Sequence, residues 1–222
     1  MIEVEKNFDL KAGDKERLIT GAVFLRKKAF TDVYYDTPDY DNTNYESVRK
    51  YERGTPCVCL PVRVRTQAGA QGAIGATRHG AVSLSKFTLT GRDFWLRTRD
   101  GRFELKVPQN AGSIGSRMTD QYRELETDAE IATELEIAVR GGLGETVKTL
   151  GYEPFARIVT TRESYQKGGF HLDFDEMDFG FSALEVELMV EKPEDITDAE
   201  KLLMDFARAH ALRTYSLSNR KI

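Results

Sequence analysis

Residues 94–107 read Phe94-Trp95-Leu96-Arg97-Thr98-Arg99-Asp100-Gly101-Arg102-Phe103-Glu104-Leu105-Lys106-Val107, and their alternation runs through two strands and the turn between them. Asp-Gly is the favoured dipeptide of a two-residue type I′ loop, whose central residues both need φ > 0. With the loop at Asp100-Gly101, Arg99 and Arg102 become cross-strand neighbours. Steps of two then put Trp95, Arg97, Arg99, Arg102, Glu104 and Lys106 on one face and Phe94, Leu96, Phe103, Leu105 and Val107 on the other. One face is apolar and the other strongly cationic. In an isolated hairpin the charged face would be solvated, so the rest of the chain decides what the cations do.

The chain has 222 residues, long enough to bury a sizeable core in one large all-β or α+β domain or in two small ones. A hydrophobic share of 40% is a little low and a charged share of 31% a little high for a globular protein, which fits charge inside as well as outside. The net charge of -4 gives no global attraction for nucleic acid or an anionic membrane, so an anion site must be a local concentration of cations. Cys57 and Cys59 have no second pair, which excludes a disulfide framework and a cysteine zinc site and favours a reducing compartment. Scattered histidines at 79, 171 and 210 argue against a histidine zinc site. The acidic opening has no apolar targeting run and no stretch approaches a membrane span. A cytoplasmic monomer is expected.

Ile2 to Phe8 alternates as a strand, with Glu3, Glu5 and Asn7 on one side and Ile2, Val4 and Lys6 on the other. Asp14 to Ile19 is a short helix stopped near Gly21, and Ala29 to Asp36 is a strand ended by Thr37-Pro38-Asp39. Residues 41–88 differ: a basic segment surrounds the low-complexity run Ala68 to Thr77, which cannot bury enough apolar surface to order itself. A structureless loop of that length is improbable inside a compact domain. It is read as a disordered insertion into a single domain spanning 1–222.

Beyond the hairpin, Gln121 to Thr127 is a strand. Asp128 is placed as a helix cap, with Ile131, Leu135 and Val139 as an apolar stripe, and a second helix runs from Glu145 to Leu150. Phe155 to Tyr165, Phe170 to Asp175 and Phe181 to Val190 return to strands, and a last helix carries Leu202, Leu203, Phe206 and Ala209 on one face. Several strands therefore carry one apolar and one charged face. The charges segregate by strand: carboxylates at Glu3/Glu5, Asp173/Asp175 and Glu185/Glu187, and cations at Arg97/Arg99, Lys106, Arg123 and Arg162.

A two-layer sandwich would wet those faces. A closed antiparallel barrel with helices outside turns them into a lumen. The expected fold is therefore α+β, a closed antiparallel barrel. In its lumen cations would hold a polyanion and carboxylates a hard divalent ion, Mg²⁺ or Mn²⁺. Opposite signs facing each other keep the buried charge compensated.

The motifs Glu3-Val4-Glu5, Tyr34-Tyr35-Asp36-Thr37-Pro38, Trp95-Leu96-Arg97-Thr98-Arg99, Glu104-Leu105-Lys106, Tyr122-Arg123-Glu124-Leu125 and Glu185-Val186-Glu187 resemble, in this order, the CYTH or triphosphate tunnel metalloenzyme superfamily, and within it the eukaryotic thiamine triphosphatases. The resemblance implies a tunnel of about eight strands that hydrolyses a triphosphate with Mg²⁺. It implies that Glu3, Glu5, Glu185 and Glu187, assisted by Asp173, bind the metal. Arg97, Arg99, Lys106, Arg123 and Arg162 would grip the triphosphate, with Arg97, Arg99, Lys106 and Arg162 also serving catalysis. Trp95, on the face of Arg97 and Arg99, would stack on the cationic thiazolium of thiamine, a contact worth about 0.5–2 kcal/mol. A small-molecule triphosphate is the expected partner, not nucleic acid or membrane.

There are departures. The family's Glu-x-Glu-x-Lys opening has Asn7 in the lysine position, with Lys6 one residue early. A lysine followed by a final strand is usual at the other end, where this chain reads Arg220-Lys221-Ile222; Lys221 is assigned as that substrate-binding lysine. Residues 41–88 replace a short loop and are read as foreign to the mature protein, which transcript sequencing would test.

Overall fold

Asp100 (φ 50°) and Gly101 (φ 84°) both occupy the left-handed region that the predicted turn requires. They join β3 (Trp95–Arg99) to β4 (Arg102–Pro108) in the expected register, Arg99 opposite Arg102, Arg97 opposite Glu104 and Trp95 opposite Lys106. The computed structural model describes residues 1–37, 89–110 and 117–214. The expected insertion at 41–88 and Lys221 lie outside the described residues.

The other elements are β1 (Ile2–Asp9), α1 (Asp14–Ile19), β2 (Val23–Asp36), a 3-10 turn (Thr90–Arg92), β5 (Asp120–Leu125), α2 (Asp128–Glu134), α3 (Leu143–Thr149), β6 (Glu153–Lys167), β7 (Phe170–Met177), β8 (Ser182–Val190), α4 (Ile196–Ala209) and the two-residue β9 (Arg213–Thr214). A second 3-10 turn (Pro193–Asp195) leads into α4. The sheet order is β5-β4-β3-β2-β6-β7-β8-β1-β9, and β5 also pairs with β1. That extra pairing closes eight antiparallel strands into a ring. Glu3 is the hinge of the closure, opposite Met189 of β8 on one side and Tyr122 of β5 on the other.

The ring is apolar outside and charged inside. Phe8, Leu172, Leu184 and Val186 pack with Leu18 of α1 and Leu203 and Ala207 of α4. Leu96, Leu105, Val107 and Leu125 pack with Ile131 of α2 and Leu143 and Val147 of α3. Burying each such leucine contributes about 1.5–3 kcal/mol, so the helices on the outer wall fix which face of every strand turns inward.

Three elements depart from the sequence expectation. β2 begins at Val23 rather than Ala29: its first residues are exposed and carry no apolar period, and continuous pairing with β6, from Val23 opposite Gln166 onward, holds them as strand. α2 stops at Glu134 because Glu136 takes φ 55°, which leaves Val139 exposed outside the helix. Its cap is Thr127, whose hydroxyl oxygen accepts from the Glu130 N–H at 3.3 Å. α4 turns Ala199, Leu203 and Ala207 inward, so Leu202, expected on that face, is 55% exposed. No helix among the described residues is long and apolar enough to cross a membrane.

Candidate active site

Alternation along strands whose outer face is fixed by helices sends every second side chain into the ring. From β1, β7 and β8 these are Glu3, Glu5, Asp173, Asp175, Glu185 and Glu187; from β2, β3, β4 and β6 they include Asp32, Tyr34, Arg97, Arg99, Glu104, Lys106 and Arg162. Four cation-centred clusters result, three of them on one wall. Lys106 donates to Glu3 at 2.8 Å and Glu5 at 2.7 Å and lies 3.5 Å from Glu124. Arg97 donates through Nε to Glu104 at 2.9 Å, and its Nη2 lies 3.4 Å from Glu124. Arg99 makes a fork to Asp32, both bonds 2.9 Å.

Across the lumen, Arg162 forks onto Asp175 at 2.7 and 2.6 Å, also donates to Asp173, and lies 3.4 Å from Glu185. Asp173 further accepts from Ser164 at 2.6 Å and pairs with the His171 ring. Phe30 of β2 joins the two walls: the Arg99 and Arg162 guanidinium carbons stand 4.2 and 5.6 Å from its ring centre.

Glu3, Glu5, Glu185 and Glu187 converge so that one carboxylate oxygen of each lies within 4.8 Å of the others. Four carboxyls that close cannot all ionise against a single ammonium. Burial, a hydrogen bond with Glu3 and the neighbouring Glu185 push Glu187 up to about 10. Glu3 falls to about 2: burial opposes ionisation, but Lys106 and the hydrogen bond from Glu187 outweigh it. Glu5 and Glu185 are raised, chiefly by burial, although Lys106 and Arg162 respectively pull them down. Burial would lower Lys106 and Arg162, yet their carboxylate neighbours raise both, so both stay charged. An oxygen-rich, proton-sharing cluster of this kind suits a hard divalent cation, which would displace the protons and compensate the charge.

The structure brings together Trp95, Arg97, Arg99, Lys106, Arg162, Glu3, Glu5, Glu185 and Glu187 on the inner wall. Asp173 is there too, engaged by Arg162, Ser164 and His171 rather than grouped with the four glutamates. Arg123 is a correction. It is opposite Val107 and next to Leu125, both buried under the helices, and its guanidinium pairs with Glu134 of α2 at 2.5 Å on the outer surface. Sequence reasoning missed the inner-wall groups Asp32, Tyr34, Glu124 and Tyr122. Alternation on β2 and β5 could have found all four: Tyr34 is opposite Arg97, and Glu124 opposite Lys106.

A family model described as "CYTH domain" matches residues 83–220. The thiamine-triphosphatase of Homo sapiens is 25% identical over 216 residues, which cover 90% of this chain and 73% of that one. Among solved structures, the PH1819 protein of Pyrococcus horikoshii OT3 superimposes with a TM-score of 0.54 at 18% identity, covering 99% of this chain and 94% of that chain. The PH1012 protein of the same organism gives 0.52 at 18% identity, with coverages of 95% and 91%. At that identity the likeness is one of fold, and it is the ring just described.

Proposed function

The chain belongs to the CYTH domain family, and on that premise we propose that it is a triphosphate hydrolase, converting thiamine triphosphate to thiamine diphosphate and phosphate with Mg²⁺. The observation that carries this reading is the inner wall itself: Arg97, Arg99, Lys106 and Arg162 face a ring of carboxylates across a closed lumen. The human thiamine-triphosphatase relative supports the choice of organic triphosphate.

Arg97, Arg99 and Arg162 would exchange carboxylate partners for phosphate oxygens, which match guanidinium forks equally well. Lys106, between Glu3 and Glu5, would hold an oxygen of the transferring phosphoryl group beside the acidic cluster. Glu3, Glu5, Glu185 and Glu187 would hold the ion. When bound, Mg²⁺ or Mn²⁺ supplies the positive charge that a polyanion needs in a lumen whose own cations are already matched by acids. Water attacks the terminal phosphorus in line, the bond to the bridging oxygen breaks, and its electron pair leaves with thiamine diphosphate. Trp95, at one end of the row Trp95, Arg97, Arg99, would receive the organic end of the substrate.

A second reading is a polyphosphate-binding module of low turnover, favoured by Asn7, the neutral, half-buried third inward position of β1, opposite Glu185. Inorganic tripolyphosphate hydrolysis is the nearer enzymatic alternative. Phosphate release from thiamine triphosphate, tripolyphosphate and ATP, with and without Mg²⁺, separates them. Thiamine triphosphate is expected to turn over fastest and only with Mg²⁺. Tight binding without phosphate release would replace this function with the binding reading.

A further inference from the structure

Asp93 is a buried carboxylate that the triphosphate site does not use. It is 4% exposed and follows the 3-10 turn Thr90–Arg92, with φ 66°, a left-handed conformation that aspartate and asparagine tolerate better than other side chains. A buried carboxylate is costly unless hydrogen-bonded or charge-paired, and here three donors meet it. The Trp95 indole Nε1–H and the Tyr122 hydroxyl both donate to Oδ1 at 3.0 Å, and Arg117 donates to Oδ2. The donors come from β3, β5 and the segment just before β5, so one carboxylate ties together the three strand ends around Trp95.

The indole it holds is the organic end of the inner wall. Trp95 shares its face with Arg97 and Arg99 and is opposite Lys106, whose ammonium stands 5.2 Å from the Tyr122 ring centre. Tyr34 meets the indole edge-on, with ring centres 6.2 Å apart. An aromatic platform selects a ligand by its face only if the ring plane is fixed beforehand, because a rotating ring would be ordered anew at each binding event. The Asp93 hydrogen bond fixes one edge and Tyr34 bounds another.

We propose that Asp93 is the positioning residue that locks the Trp95 indole as a platform for the organic end of the substrate, and so sets the preference for an organic over an inorganic triphosphate. This rests on the lumen being a triphosphate site. Of the three donors that Asp93 holds, Trp95 is the one at the organic end, so loss of the acceptor is expected to fall chiefly on the organic substrate.

Trp95 is the chain's 1 tryptophan, so intrinsic emission reads this indole without labelling. In the unaltered protein its anisotropy is expected to be that of a rigid side chain; a mobile indole overturns the proposal whatever any variant does. Asp93→Asn keeps size and backbone tolerance but loses the charge, and Asp93→Ser shortens the acceptor. Both should lower that anisotropy and raise the KM for thiamine triphosphate about tenfold, the factor that one charge-assisted hydrogen bond commonly carries. KM and kcat for tripolyphosphate, which also report folding, should stay within about twofold. In a Trp95→Phe background, Asp93→Asn should no longer change the ratio of the two substrates. Equal effects on both substrates, or none on either, would overturn the proposal. If the unaltered protein hydrolyses neither substrate, the hydrolase reading falls. The Kd ratio from Trp95 quenching titrations with the same two compounds then judges Asp93 by the same criterion.

Discussion

Lys106 is the group whose removal should disturb the lumen most. Its ammonium stands 2.7 and 2.8 Å from Glu5 and Glu3, and the contact with the ionised Glu3 is a gross attraction of about 6 kcal/mol at an effective dielectric of about 20. The cost of burying the charges offsets most of that attraction, but removing one partner from such a cluster costs about 3–5 kcal/mol. For a chain of this size the melting temperature of Lys106→Met should therefore fall by about 6–20 °C near pH 7 without divalent metal. The deficit should also depend on pH. In the unaltered protein Glu3 is held at about 2 against an ordinary 4.5, so its contribution is present above 4.5 and lost as pH falls through 2. Without the ammonium the largest opposition to burial is removed at both groups, so Glu3 rises and Glu5, already above its ordinary value, rises further; the variant therefore loses stability relative to the unaltered protein as pH rises. Melting curves by differential scanning fluorimetry from pH 4 to 8 should show a gap that widens with pH, and phosphate release should fall by more than about 100-fold. A gap that is absent or independent of pH would refute the placement of Lys106 among the glutamates.

Other outcomes follow from the same geometry. Arg123→Ala should leave kcat/KM unchanged within about twofold and stability within about 0.5 kcal/mol, because its partner Glu134 is on the outer surface; a large kinetic loss would return it to the lumen. Mn²⁺ affinity by calorimetry should rise with pH through the neutral range, with buffer-dependent heats from released protons, since Glu187, at about 10, must ionise to ligate. Heats that do not vary with buffer would count against the cluster as the metal site. Glu163 falls from 4.5 to about 2 through hydrogen bonds from Lys27 and then Lys15, so its contribution holds above 4.5 and is lost as pH falls toward 2. Glu163→Gln should cost under about 1 kcal/mol at pH 7, discounted for solvent screening, and nothing near pH 2, as acid-melting curves will show.

The hairpin, its turn and its two faces were legible because period-2 alternation and an Asp-Gly turn are local signals. The inversion of the barrel, charge inward and leucine outward, could be read from several strands at once but not from one. Arg123 shows the limit: its charge groups it with Arg97 and Arg99, although its own strand places it beside Leu125, and the buried leucine identifies the helix-covered side. Asp32 and Tyr34 are less legible because β2 carries aromatic side chains on both faces, Phe30 and Tyr34 inward and Tyr35 outward, so neither face reads as the charged one. The end of α2 depends on the left-handed Glu136, a backbone state that no side-chain pattern announces. Asp93 lies in a turn before β3, outside any alternation, and only the three-dimensional meeting of Trp95, Tyr122 and Arg117 reveals it.

The most direct measurement is a crystal structure with Mn²⁺ and a non-hydrolysable triphosphate, located by the anomalous signal of the metal. The expected peak lies within about 2.5 Å of carboxylate oxygens from the Glu3, Glu5, Glu185 and Glu187 cluster, with phosphate oxygens on Arg97, Arg99, Lys106 and Arg162. A metal and triphosphate bound on the outer wall, with the lumen ion pairs intact, would contradict it.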